Sequence, residues 1–283
     1  MKTVLRSQTK SVSIDNEAFI TVIGESINPT RRKQLSVAFT ERRYDYVLQL
    51  AGSQLQAGAD ALDINVGVPG IDEPQIMREV VTAVAEAFDV PLCLDSPNPK
   101  TLAAGLAVAP GRPLVNSVNG EEKALAAILP VVQEFGVPVI GLVIDDDGVS
   151  MDPEKRLVIA GKIINRAGQM GIPIEDVVID PLAMAVGADH AAGQVTLRTI
   201  QLIHEEFGVN MTLGASNVSF GLPDRQTINQ TFLALVAQMG VSAVITNPVK
   251  LTSTIRAIDL LLGRDEYSMR FIRHFRAMKK VTA

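Results

Sequence analysis

The amino-acid sequence predicts a (β/α)8 barrel, and three observations lead there. The chain has 283 residues, 47% of them hydrophobic, enough for one large core and within the usual length of a single-unit α/β barrel. Short β-rich apolar runs recur eight times, with longer stretches of helical period between them. The short runs are apolar almost throughout, which suits parallel strands buried on both faces. A doubly wound sheet is the second choice. The chain is expected to be one domain, 1–283, with its core at about 19–262 and a C-terminal helix at about 265–280.

In chain order the expected strands are "FITVIG" from Phe19, "ALDIN" from Ala61, "PLCLD" from Pro91 and "PLVNS" from Pro113. "PVIGLVI" from Pro138, "DVVID" from Asp176, "MTLGAS" from Met211 and "SAVITN" from Ser242 follow. The stretches "YDYVLQLAGSQLQAG", "QIMREVVTAVAEAF", "EEKALAAILPVVQEFG", "DPEKRLVIAGKIINRAGQMG" and "DRQTINQTFLALVAQMG" carry helical period and close near Gly or Pro, as helix C-termini tend to.

Composition narrows the function. Net charge is −5, and Lys and Arg are spread out apart from the short "TRRK" at 30–33 and "MKK" near the end. No basic stripe suits a phosphate backbone, so nucleic acid is not expected as a partner. A single cysteine, Cys93, excludes an internal disulfide framework and a Cys-rich metal site, and packing in the core is its expected role. The N-terminal stretch lacks a continuous apolar signal region, and no uncharged apolar run reaches the roughly 18 residues that span a bilayer, so the chain reads as cytoplasmic, without a membrane partner.

A barrel places its reactive residues in the loops that leave the C-terminal ends of its strands. Those ends carry Glu25 and Asn28, then Asp63 and Asn65, Asp95, Asn116 and Asn119, Asp145, Asp180, Asn217 and Asn247. The ring consists of carboxylates and amides, with no Lys or His, so it lacks the residues for Schiff-base or metal-ligand chemistry. It suits a neutral ligand rich in N–H donors and C=O acceptors, and a fused nitrogen heterocycle fits. A phosphorylated substrate fits less well, since the chain has no Walker sequence and no G-x-G-x-x-G.

The stretch "TLGASNVSFG" at 212–221 crowds Gly214, Ser216, Asn217 and Ser219 where two or three turn residues would serve. Together with "GESIN", "ALDINVG", "CLDS", "VNSVN", "IDPL" and "INQTFL", it resembles the pterin-binding barrels of methyltetrahydrofolate:corrinoid-protein methyltransferases. More distantly the set resembles the folate domain of cobalamin-dependent methionine synthase. The resemblance runs from about Val22 to Leu262, with the motifs in the family's order.

This resemblance implies a barrel of the pterin-binding type. Asp95, Asn116 and Asp180 would grip the pterin ring beside Gly214 and Ser216, and the amide of Asn217 would hydrogen-bond N5 of the folate. It further implies tetrahydrofolate or 5-methyltetrahydrofolate as substrate, cobalamin carried by a separate corrinoid protein, no protein-bound metal, and a homodimer. The implied reaction is direct methyl transfer between N5 and cobalt, in either direction, for which a hydrogen-bonding amide can stabilise N5 as its charge changes.

Plainer readings stand beside these. Asp95 could help to cap a helix that begins at Asn98–Pro99, and Glu25, Asp63 and Asn65 could hold the loops, with Asn28 and Ser219 as further candidates for the site. Arg225 matches a family arginine near the folate end of the site, or is a solvated helix-start residue. The "DDDG" run at 145–148 is expected to be a turn, because a calcium loop needs alternating ligands and a closing Glu. His190 follows Asp189 directly, so the cobalt-ligating D-x-H-x-x-G spacing fails. Two other functions remain as alternatives: a dihydropteroate synthase-like enzyme, although the Ser-Thr-Arg-Pro-Gly segment is missing and "VPGIDEP" follows "LDINVG", and a non-catalytic pterin-binding subunit.

Overall fold

The computed structural model describes residues 1–30 and 32–282; Arg31 of the "TRRK" run lies outside them. The chain opens with an antiparallel hairpin absent from the sequence reading: β1 (Lys2–Arg6) pairs with β2 (Ser11–Asp15), Arg6 lying opposite Ser11. Thr3 and Leu5 are buried at alternate positions of β1, the period of two that a strand imposes.

Parallel strands and helices then alternate. β3 (Thr21–Ile27) leads to the short α1 (Lys33–Glu41) and to α2 (Asp45–Gln56). β4 (Ala61–Asn65) leads to α3 (Glu73–Ala87), β5 (Leu92–Asp95) to α4 (Pro99–Leu106), and β6 (Leu114–Asn119) to α5 (Glu122–Phe135). β7 (Val139–Leu142) leads to α6 (Pro153–Gln169), and β8 (Val177–Asp180) to α7 (Ala192–Phe207). α8 (Arg225–Gln238), β9 (Ala243–Thr246), α9 (Pro248–Leu261) and α10 (Met269–Thr282) complete the order. Gly136 and Gly208 end α5 and α7 in the left-handed conformation, which a residue without Cβ adopts at little cost.

The parallel strands form one curled seven-stranded sheet in the order β8-β7-β6-β5-β4-β3-β9. The expected strand at Met211 is not a regular strand. Its residues make isolated bridges, Met211 to Ile179 of β8 and Gly214 to Ile245 of β9. Met211 O accepts from both Ser242 N and Ala243 N at 3.1 Å, which breaks an even ladder, and Gly214 has no side chain to pack within one.

Ile23, Ala61, Cys93, Leu114, Ile140, Val178 and Ala243, one from each parallel strand, meet Leu5 and Ile14 of the hairpin in an inner apolar cluster. The hairpin therefore joins the core at that end of the sheet, and Asn210 ties it down by donating Nδ2 to Ile14 O at 2.9 Å. Each buried Leu or Ile there contributes about 1.5–3 kcal/mol relative to exposure. α10 is held by charge: Arg270 donates to Asp60 at 3.2 Å and Asp259 at 3.4 Å, and its guanidinium lies 4.2 Å from the centroid of the Phe19 ring. Among the described residues no helix is long and apolar enough to cross a membrane.

Candidate active site

β4 and β5 end at Asn65 and Asp95, and Asn116, within β6, stands in the same register row. Residues of β4 hold Asp95 on the adjacent β5 and Asn116 on β6, one strand further on. Asn65 Nδ2 donates to Asp95 Oδ2 at 2.9 Å, while Asp63 Oδ1 accepts from Asn116 Nδ2 at 3.1 Å. Asn65 is itself oriented, because its Oδ1 accepts from Gly67 N at 2.8 Å. With Nδ2 of Asn116 committed to Asp63, its carbonyl oxygen is left as an acceptor. Asp95 does not cap α4: that role belongs to Asn98, whose Oδ1 accepts from Lys100 N at 3.0 Å.

Asp180 closes β8, and its Oδ1 accepts from Leu182 N at 2.8 Å. Burial pushes this carboxyl up to about 7, against the pull of the Leu182 bond and of Arg156. Asp63 is 2% exposed and is held well above the usual carboxylate range by burial and then by the nearby Asp95, while hydrogen bonds from Asn116 and Cys93 act the other way. Burial also raises Asp95 and Glu25. Carboxyl groups raised by burial and gathered at the strand ends are common at functional sites.

The segment between Met211 and α8 turns tightly, with Asn217 N donating to Gly214 O and Phe220 N to Asn217 O, both at 3.1 Å. Ala215, Val218 and Ser219 are buried whereas Asn217 is exposed, so the loop anchors on its neighbours and presents the amide. Ser216 Oγ donates to Glu25 Oε1 at 3.3 Å, across to β3. Arg225 belongs to this loop: Nε donates to Ser219 Oγ at 3.0 Å and Nη2 to Ser216 O at 2.6 Å. Arg225 is thus the exposed first residue of α8, as the plainer reading expects, with its guanidinium held at Ser216. Asn28 shapes its own turn by accepting from Thr30 N at 2.9 Å.

The structure therefore brings Asp63, Asn65, Asp95 and Asn116 together, puts Asp180 on the same sheet edge, and groups Glu25, Ser216, Ser219 and Arg225 around the loop that carries Asn217. A cavity of ≈ 180 Å³ opens beside that loop, and its walls add Gln226, Asn229 and Lys250, which the strand-end survey missed because they lie on helices. Asn119 serves a turn, accepting from Glu121 N at 3.1 Å, while Asn247 lines that cavity and caps α9 by accepting from Val249 N at 3.1 Å. The acidic run is a salt-bridged turn, with Lys155 Nζ 2.7 Å from Asp147. Among the described residues no group of three or more His, Cys, Asp or Glu side chains is placed to hold a metal ion.

Residues 24–247 match the family of pterin binding enzymes, and the chain belongs to that family. It is 29% identical over 266 residues to the methylcorrinoid:tetrahydrofolate methyltransferase of Eubacterium limosum, a match covering 91% of this chain and 97% of that protein. It is 32% identical over 279 residues to methionine synthase of Mycobacterium tuberculosis, covering 90% of this chain but only 23% of that longer protein. Among solved structures, a dihydropteroate synthase of Yersinia pestis superposes with a TM-score of 0.71 at 18% identity, covering 92% of this chain and 99% of that one. The dihydropteroate synthase of Xanthomonas albilineans in complex with 7,8-dihydropteroate gives 0.69 at 20% identity, covering 92% and 98%. At these identities the likeness is one of fold.

Proposed function

We propose that this protein is a methyltransferase that moves a methyl group between N5 of tetrahydrofolate and the cobalt of a corrinoid carried by a partner protein. One arrangement carries the reading: a row of half-buried carboxyl and amide groups at the strand ends, suited to a pterin edge, together with an exposed amide, Asn217, on the loop before α8. Similarity over nearly the full length of a methylcorrinoid:tetrahydrofolate methyltransferase supports it.

The residues then divide the work. Asp95 and Asp180 accept N–H bonds from the pterin, and Asn116 offers it a carbonyl oxygen, with Asn65 and Asp63 setting their orientation. Ser216 and Gly214 border the ring, and Asn217 hydrogen-bonds N5, where charge changes during transfer. Glu25, Ser219 and Arg225 hold the loop in place, and Asn28 shapes the turn after β3. The reduced corrinoid supplies the nucleophile in one direction and its methylated form supplies the methyl group in the other.

In this reading the partner docks over the C-terminal face, the isolated chain carries no cobalamin, and the protein works as a homodimer in the cytoplasm. The 211–215 segment would complete a closed eight-stranded barrel within the single 1–283 domain, a geometry that Thr212 N donating to Ile179 O at 3.0 Å and Ile245 N donating to Leu213 O at 3.0 Å favour.

The test is to mix the protein with methyltetrahydrofolate and cob(I)alamin, then with tetrahydrofolate and methylcob(III)alamin, and to follow the cobalamin spectrum. A spectrum that changes in neither mixture, for a protein that still binds the folate, overturns the catalytic reading and leaves a pterin-binding subunit. The dihydropteroate synthase likeness is a second reading, and turnover of a dihydropterin pyrophosphate with p-aminobenzoate would favour it.

A further inference from the structure

Arg156 is 0% exposed and lies on the apolar stripe of α6 with Ile159, Ile163 and Ala167. A buried guanidinium ordinarily sits against a carboxylate. Here its hydrogen bonds go to neutral acceptors on two loops. Nε donates to Ser150 O at 2.7 Å, in the loop after β7. Nη1 donates to Pro181 O and Leu182 O, both at 2.9 Å, and Nη2 to Met184 Sδ at 3.0 Å, in the loop after β8.

Leu182 has a φ of 65°, in a left-handed region that residues with a side chain rarely occupy. The loop holds it there from both sides. Its N–H is taken by Asp180 Oδ1, and its carbonyl by Arg156 and by Thr196 Oγ1 at 3.1 Å. The residue that donates to Asp180 is thus the one whose carbonyl Arg156 clamps.

We propose that Arg156 is a positioning residue for Asp180: from α6 it locks the 180–184 loop through its carbonyls and supplies the positive charge that faces the Asp180 carboxylate. Its consequence for catalysis rests on the reading of Asp180 as a pterin ligand. On β7 the register partner of Asp180 is Leu142, and Met211 bridges the preceding Ile179, so neither neighbour brings a titratable group. Among the described residues the charge acting on Asp180 is that of Arg156. Loss of that charge raises the proton affinity of Asp180 further, and a protonated carboxyl cannot accept paired N–H bonds from a pterin.

The experiment is a carboxyl-carbon NMR titration of Asp180 in the ligand-free protein, for the parent, Arg156→Gln and Arg156→Lys, alongside calorimetric binding of tetrahydrofolate from pH 5.5 to 9. In Arg156→Gln the Asp180 midpoint should rise by at least about one pH unit, with binding at pH 7 about tenfold weaker and recovering at higher pH. Arg156→Lys, which keeps the charge and loses the carbonyl clamps, should hold the midpoint within about half a unit. Its affinity should drop several-fold at every pH, and it covers the case in which the glutamine variant does not fold. An unchanged Asp180 midpoint in folded Arg156→Gln, or a lysine variant with parental affinity, overturns the proposal. If Asp180→Asn binds tetrahydrofolate as tightly as the parent, the pterin reading of Asp180 fails, while the ligand-free titration still decides the relation between Arg156 and Asp180.

Discussion

A Cβ on Gly214 would stand 2.8 Å from Nδ2 of Asn217, closer than real Cβ atoms come to a neighbour. The amide of Asn217 therefore rests on the bare backbone of residue 214, which explains why a glycine precedes the polar cluster. Gly214→Ala should push the amide away while leaving the pterin carboxylates in place. We expect kcat for methyl transfer to drop by about 10- to 100-fold, the scale of a small misplacement at a reacting group. Kd for tetrahydrofolate should change by less. A weaker Kd with kcat unchanged would show that the glycine serves binding alone.

Removing the amide itself should cost more. For Asn217→Ala we expect kcat to drop by roughly 10²–10³, as when one preorganised donor is taken from a developing charge. The loss in rate should exceed the loss in affinity. Single-turnover transfer to cob(I)alamin measures the rate and calorimetry the affinity; transfer at the parent rate would make the loop purely structural.

Asp95→Ala and Asp180→Ala should act mainly on binding, at about 1–3 kcal/mol each, because ring N–H groups would be buried without an acceptor. Asp95→Ala also strips Asn65 Nδ2 of its partner. Titration with tetrahydrofolate checks both, and unchanged affinity in a folded variant removes that residue from the site.

The Asp180 carboxyl, raised to about 7 by burial, gives binding a pH signature. Its ionised form accepts N–H bonds, so the ligand favours the unprotonated state. Below about pH 7 binding should release a proton and tighten as pH rises; above it the dependence should flatten. The sign for folding is set by the same shift: a carboxyl near 7 when folded and near 4 when unfolded stabilises the fold below about pH 4 and loses that contribution as pH rises to 7. Calorimetry at pH 6.5 in two buffers of different ionisation enthalpy counts the protons, and Asp180→Asn should abolish the release.

Asp259 is 0% exposed, accepts from Ile20 N at 3.0 Å and faces Arg256, Arg264 and Arg270 at 3.8, 3.7 and 3.4 Å. Removing its charge leaves Asp60 alone to balance Arg256 and Arg270, and takes from Arg264 its carboxylate. Asp259→Ala should destabilise the fold by about 3–5 kcal/mol in a urea titration, with a loosened α10. A loss below 1 kcal/mol would show that water compensates the cluster.

Much of the architecture was legible because it repeats. Seven of the eight expected strands are present, since an apolar run flanked by turn residues has few other ways to bury itself. The hairpin escaped notice because "KTVLR" and "SVSID" are short and half polar, and become buried only by meeting the inner ends of the other strands. Arg156 carried a readable signal: a lone cation on a stripe of Ile and Ala at helical spacing. What it bonds to could not be read, because its partners lie on two separate loops.

The sequence by itself determined the strand and helix alternation, the ring of carboxylates and amides at strand ends, and the unusual loop around Asn217. These follow from local period and turn chemistry, which act within a few residues. The tertiary structure decided which of those polar groups meet: that Asn65 holds Asp95, that Asp63 holds Asn116, and that Arg225 is spent on the backbone of Ser216. It also decided that Asp180 titrates near neutrality. Hydrogen-bond partners and burial depend on which strands stand side by side after the sheet curls, and residues far apart in the chain set both.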